Sequence, residues 1–365
     1  TKRFKKKQIP ATVKLMGYFK NNFLPLLGLA LLLLMIPVTV DLGQRVSRLL
    51  SEAGAVPANI IVDAGIAQGS LPRPWEGVAQ GGELEQDMKT LISILPITGR
   101  LQNLNIKYVR FDHIFNFPLE DRMREIRAIS ALGGFPVISL SYYPADVAKS
   151  WTGRPYNWSA WEADVTSLIT RISRETPNVY YEVWNEPDGK DFGNMNPTEY
   201  LTLYKHTVAA ANRVNNVQPF RIGGPALANP DNKNWMKQFV AGVAANNLRL
   251  DFISWHRYHK DPQVFTRDLD FIDDLLFANN LSDRERLITE WGTDPVVGPI
   301  HLGTYEAAHF AAVTRKILDR VKVATKFEAR DGLAAGGGLG IFTYNGGEKP
   351  ITVALRLLSK MSGNR

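Results

Sequence analysis

The 365-residue sequence contains no cysteine. Disulfide frameworks, thiolate zinc sites and cysteine nucleophiles are therefore excluded. It also lacks a concentrated basic face, although its formal charge is +7. The excess sits in the first 20 residues, where Lys2, Arg3, Lys5, Lys6, Lys7, Lys14 and Lys20 stand without one acid, and the remainder holds 36 basic and 36 acidic residues. A neutral body with no nucleic-acid motif excludes phosphate-backbone binding as the function. After residue 58 there is no internal repeat, low-complexity tract or linker.

What is there begins with Phe23 to Val40, 18 residues without a charge, near the lower limit of the roughly 17–25 that cross a bilayer as a helix. Leucine runs unbroken around the whole circumference, which argues against a core helix. Cations on the N-terminal flank favour keeping that end in the cytoplasm. The expected plan is a basic cytoplasmic tail (1–22), a transmembrane signal-anchor helix (23–40), a juxtamembrane linker (41–58) and a catalytic domain (59–365) outside the cytoplasm, at the cell envelope. Small residues from Ser51 to Ala58 offer a cleavage site well beyond the apolar run, and cleavage there would give a secreted form.

From about residue 55, short apolar, β-branched segments alternate with longer amphipathic ones, the pattern of parallel strands joined by helices. Strands are expected at 59–66, 106–112, 135–142, 178–185, 219–224, 250–258, 286–291 and 338–345. Helices are expected at 83–104, 119–132, 159–175, 197–215, 232–246, 265–280, 304–323 and 350–361, several opened by a start signal such as Asn196-Pro197. Eight β/α units predict a TIM-type (β/α)8 barrel. A doubly wound open sheet would need a phosphate-binding glycine fingerprint after the first strand, where the sequence reads instead as a long loop. The glycines at 336–338 precede a strand and read as a turn.

Barrel active sites collect at the C-terminal ends of the strands. Two carboxylates stand there: Glu186 in VWNEPD, ending the fourth expected strand, and Glu290 in ITEWG, ending the seventh. Glycosidic cleavage needs such a pair on opposite sides of an anomeric carbon, one protonated to release the leaving oxygen and one ionised.

With Asn185-Glu186-Pro187 after strand four and Glu290 ending strand seven, the sequence resembles the clan A glycoside hydrolases. Within them it looks most like family 39, on the order of YVRFDHIF (108–115), YYEVWNEPD (180–188), ISWHRYH (253–259) and ITEWG, over residues 59–361. The resemblance implies a retaining glycosidase of an envelope or extracellular oligo- or polysaccharide, with Glu186 as acid/base and Glu290 as nucleophile. It does not carry substrate specificity. Asn185 is expected to hydrogen-bond the sugar 2-hydroxyl. Arg110 is expected beside the nucleophile, keeping Glu290 ionised while Glu186, more desolvated and near a like charge, keeps its proton.

His256 and Tyr258 alternate with Trp255 and Arg257 and so share one face of their strand. Tyr258 is expected to donate to Glu290 and His256 to line the sugar site. His256 and His259 fall on opposite faces, which leaves no metal site, and no cofactor is implied. Asp112 and His113, just past Arg110, are candidates for contacts to sugar hydroxyls. Trp75, Tyr142, Trp151, Trp291 and Tyr344 are candidates to stack on a sugar ring. Two other readings share this site: a transglycosylase, and a carbohydrate-binding barrel without activity. The second usually shows a substituted acid/base or nucleophile, and both glutamates are present.

Overall fold

The computed structural model describes residues 69–81, 93–143, 153–155, 157–332 and 338–364, together with Leu27, Leu33 to Pro37 and Thr39. Residues 1–66 and 67–365 form two separate compact units. In the first, Leu33, Leu34, Met35 and Ile36 are helical and exposed. The Thr39 hydroxyl donates to the Met35 and Ile36 carbonyls at 3.1 and 2.9 Å. Among the described residues no helix is long and apolar enough to cross a membrane. The expected tail, linker and most of the anchor lie outside the described residues.

The second unit is a closed, all-parallel barrel in sequence order. Its strands are β1 (Gly77–Gln80), β2 (Tyr108–Phe111), β3 (Phe135–Leu140), β4 (Val179–Val183), β5 (Phe220–Leu227), β6 (Phe252–Tyr258), β7 (Glu285–Gly292) and β8 (Val323–Phe327). The helices are α1 (Thr98–Asn103), α2 (Leu119–Ala131), α3 (Trp158–Glu175), α4 (Pro197–Arg213), α5 (Lys233–Ala245), α6 (Gln263–Ala278), α7 (Thr304–Ile317) and α8 (Ile351–Ser359). Helix α4 starts where the sequence says it must. Asn196 accepts from the Thr198 and Glu199 amides at 3.0 Å while Glu199 accepts from the Asn196 amide at 2.9 Å, a reciprocal cap with proline at the first helical position.

The barrel interior is layered. Tyr108, Val137, Tyr180, Phe252, Leu287 and Val323 form an apolar floor. Two residues further along the strands the inward positions turn polar, with Arg110, Ser139, Glu182, Ser254, Thr289 and Thr325 buried above that floor. Glu290 and His256 lie further along the strands, above this second layer.

Two of the expected strands are corrected. The segment 59–66 lies outside the described residues, and the first barrel position belongs to Gly77–Gln80, within and just after a stretch read as loop. Its inward residues Gly77 and Ala79 are small because the barrel is crowded there: a Cβ on Gly77 would lie 2.6 Å from Val323 Cγ2. A strand made of small residues carries little β signal. The last strand is Val323–Phe327 rather than 338–345. Only Val323 of it fell within the expected helix 304–323, and Phe342 in the expected strand forms only single bridges to Arg330 and Glu348.

Candidate active site

Arg110, on the inward face of β2, organises the mouth of the barrel. Its Nε donates to Glu182 at 2.7 Å, Nη1 to Glu290 at 2.7 Å and Nη2 to Asn185 at 2.6 Å. Its planar fork therefore fixes groups from β4, β7 and the β4–α4 loop at once, which a lysine could not do. The two carboxylates raise the already high Arg110 pKa further against the cost of its burial. Glu182 escaped the sequence reading. An acid alternating with Tyr180 in an otherwise apolar strand was the available signal, because a buried charge requires a partner.

Glu290 owes its aim to a β-bulge. Trp255 pairs Ile288 and His256 pairs Glu290, so Thr289 is skipped and the nucleophile candidate turns inward beside His256. Tyr258 donates to its second oxygen at 3.1 Å. Glu186 sits on strained backbone: Trp184 and Glu186 have φ of 70° and 46°, conformations costing on the order of 1–3 kcal/mol each for non-glycine residues. Ser139 Oγ donates to the Trp184 carbonyl at 2.8 Å, the Trp184 indole donates to the Phe192 carbonyl at 2.6 Å, and the Glu186 amide donates to the Ala226 carbonyl at 3.0 Å. These bonds hold the turn and point Glu186 at Glu290.

His256 Nδ1 lies 2.9 Å from Glu186 Oε1 and 3.5 Å from Glu290 Oε2. Facing oxygens of the two glutamates lie within 4.8 Å of each other. Burial lowers the His256 pKa, so the ring is neutral and the cation facing Glu290 is Arg110. Burial pushes Glu186 up to about 7, opposed by Arg110 and reinforced by Asp112. Burial also raises Glu290, opposed by the Arg110 cation.

The expected asymmetry therefore has a different origin from greater desolvation of Glu186, whose side chain is 15% exposed against 9% for Glu290. Glu290 accepts from Arg110 and Tyr258, two donors that favour its carboxylate form against the burial that raises its pKa. Glu186 has its contact with neutral His256 and retains a proton near neutrality.

The structure brings Asn185, Arg110, His256, Tyr258 and Asp112 to the two glutamates. Tyr142 is fully buried and its hydroxyl accepts from Asn185 Nδ2 at 2.7 Å, so it orients Asn185 instead of presenting a stacking face. His113 is buried behind it, with the rings 4.6 Å apart and Nδ1 3.2 Å from Asn116 Oδ1. The other aromatic candidates are placed as follows. Trp75 precedes β1, at the N-terminal end of the barrel, and is a core residue. Trp291, next to Glu290, points outward and packs on Phe265 and Phe310 with centroids 5.7 and 5.1 Å away. Tyr344 carries the Arg330 guanidinium 4.5 Å above its ring. Trp151 lies outside the described residues.

The sequence pattern of the family described as Glycosyl hydrolases family 39 matches residues 102–365. A beta-xylosidase of Caldicellulosiruptor saccharolyticus is 28% identical over 302 residues, covering 72% of this chain and 58% of the relative. A beta-xylosidase of Geobacillus stearothermophilus is 26% identical over 234 residues, covering 54% and 45%. The chain thus spans about half the length of these relatives. In fold it is similar to a monomeric beta-xylosidase from Caulobacter crescentus, with a TM-score of 0.70 at 20% identity over 83% of this chain and 71% of the other. It is also similar to a GH39 enzyme from Xanthomonas axonopodis, with a TM-score of 0.70 at 19% identity over 85% and 73%.

Proposed function

We propose, from the premise that this chain belongs to glycosyl hydrolase family 39, that it is a retaining glycosidase acting by double displacement. The observation that carries this reading is the approach of the Glu186 and Glu290 oxygens to within 4.8 Å. Retaining pairs stand about 5–5.5 Å apart, whereas inverting pairs need about 6.5–9.5 Å to admit a water.

Glu290, ionised by its two donors, attacks the anomeric carbon while Glu186 gives its proton to the leaving oxygen. The glycosidic C–O bond breaks and a glycosyl ester forms on Glu290. Glu186, now a carboxylate, takes a proton from the incoming water, whose oxygen displaces Glu290 and restores both side chains. Asn185, held by Arg110 and Tyr142, is placed to bind the 2-hydroxyl as positive charge builds on the ring. The glycone is β-xyloside-like, by likeness to the two relatives.

Proton NMR of the first-formed anomer tests the stereochemistry: retention is expected, and inversion would remove the double-displacement reading. A 2-deoxy-2-fluoro glycoside should label Glu290 and no other residue.

The catalytic unit acts at the cell envelope on a polymer exported there, with residues 23–40 as the signal-anchor. The uncharged apolar run and its basic flank support this. Recovery of the activity in a carbonate-resistant membrane fraction is the expected outcome, and a soluble, shortened form in the medium would count against it.

A further inference from the structure

The turn that presents Glu186 leans on a second irregularity, the end of β5. Pro225 pairs Ser254 and Leu227 pairs Trp255, so Ala226 is skipped, with a φ of 54°. The Ala226 amide donates to Ser254 Oγ at 3.1 Å, and its carbonyl accepts from the Glu186 amide at 3.0 Å. This is one hook between the turn and the barrel. Asp188 supplies another. Two residues beyond Glu186, its Oδ1 accepts from the Ala228 amide at 2.9 Å, and Ala228 stands two residues beyond Ala226. The turn therefore grips the end of β5 at two points. Asp188 is half-buried, and burial raises its pKa against the pull of the Ala228 and Asn229 amides, while the neighbouring Glu186 raises it further. The chain keeps an acid at this position although its surroundings work against the ionised form.

The loop that holds Asp188 is itself braced from outside the barrel. Arg257, between His256 and Tyr258 on β6, points the opposite way from them. Its Nε and Nη2 donate to Asp268 of α6 at 2.6 and 2.7 Å. Its Nη1 donates to Asp231 at 3.0 Å and to Asn229 at 3.4 Å, both in the loop after β5. One strand thus meets Glu186 from within through His256 and fixes the loop behind Asp188 through Arg257.

We propose that Asp188 is a positioning residue for the acid/base: its oxygen, accepting from the braced Ala228 amide, fixes the strained turn so that Glu186 faces first the leaving oxygen and then the incoming water. This rests on the glycosidase reading above. Glu290 is carried by β7 and held by Arg110 and Tyr258, so its attack does not depend on this hook. The place of the Asp188 oxygen matters, and not its charge: the charges that shift Glu186 are those of Arg110 and Asp112. Loss of the hook should therefore be felt only where Glu186 transfers a proton.

The test compares the full chain with Asp188→Ala, Asp188→Asn and Asp188→Glu on phenyl and 2,4-dinitrophenyl β-D-xylosides. Asp188→Ala should lose about 10- to 100-fold in kcat/KM on the phenyl xyloside, the scale of a displacement of about 1 Å. On the dinitrophenyl xyloside, whose leaving group needs little protonation, kcat/KM should stay within about threefold of the wild type. Added azide, which needs no general base, should raise kcat of Asp188→Ala on that substrate. Asp188→Asn keeps the acceptor oxygen and should recover most of the loss, with its alkaline limb in place. Asp188→Glu keeps the charge, carries the acceptor one methylene further and should not recover it. Equal loss on both leaving groups in Asp188→Ala overturns the proposal and leaves the glycosidase reading intact. An active Asp188→Glu beside an impaired Asp188→Asn overturns it too, and that pair decides the matter even if Asp188→Ala does not fold. A wild type that hydrolyses neither xyloside removes the glycosidase reading and the proposal with it.

Discussion

Arg110 Nη1 donates to Glu290 Oε1 at 2.7 Å while its Nε donates to Glu182 at the same distance. One guanidinium thus bridges two buried carboxylates and, through Nη2, also holds Asn185. Replacing it with lysine leaves a charge but removes the fork. Arg110→Lys is expected to lower kcat/KM by about 100-fold or more and to destabilise the fold by roughly 3 kcal/mol, because Glu182 keeps a buried charge with no partner. Steady-state kinetics and urea unfolding check the two effects separately.

The glutamates should separate by leaving group. Glu290→Gln is expected to abolish hydrolysis of every substrate. Glu186→Ala should retain turnover of activated aryl glycosides, whose leaving groups need little protonation. Equal loss in both variants on 4-nitrophenyl and alkyl glycosides would contradict the assigned roles.

Glu186 should set the alkaline limb of activity. With its pKa pushed up to about 7, the acid form needed to protonate the leaving oxygen disappears as pH rises through that value. kcat/KM for a poor leaving group should fall tenfold per pH unit above it. A limb set elsewhere, unmoved in Glu186→Asp, would sink this assignment.

The same displacement predicts a stability effect. The folded chain holds the Glu186 proton to a higher pH than an unfolded chain, whose carboxyl titrates near 4.5. Between these values the folded state binds more protons, so stability falls as pH rises from about 4.5 to 7, by up to roughly 3 kcal/mol. Glu186→Gln escapes that loss. Its melting temperature should exceed that of the wild type at pH 8, with the difference shrinking towards pH 4.

Trp291 adjoins Glu290 in sequence and packs outward on Phe265 and Phe310. Trp291→Ala should cost about 3–5 kcal/mol of stability, as large-to-small changes in a packed core do. Trp291→Phe should leave KM unchanged, which measures whether the ring touches substrate.

Much of the barrel was legible because its middle strands alternate tall apolar residues and its helices carry start signals. Asn196-Pro197 and Glu199 declare the first turn of α4 by local chemistry alone. The candidate pair was legible because Glu186 and Glu290 stand towards the C-terminal ends of apolar strands, in Asn185-Glu186-Pro187 and ITEWG. The ends of the barrel were not: β1 is made of Gly77, Val78, Ala79 and Gln80, whose smallness reflects neighbours across the barrel. That information resides in Val323, some 250 residues away along the chain.

The sequence by itself determined the residue types, their spacing on each strand and hence the shared face of Arg110 with Asp112 and of His256 with Tyr258. These follow from the period of two along a strand, a local property of backbone geometry. Only the tertiary structure decided which way Trp291 points, that Glu182 shares Arg110 and that Tyr142 serves Asn185. Those outcomes depend on barrel closure and on the bulge between Ile288 and Glu290, where residues distant in sequence settle one another's burial and charge.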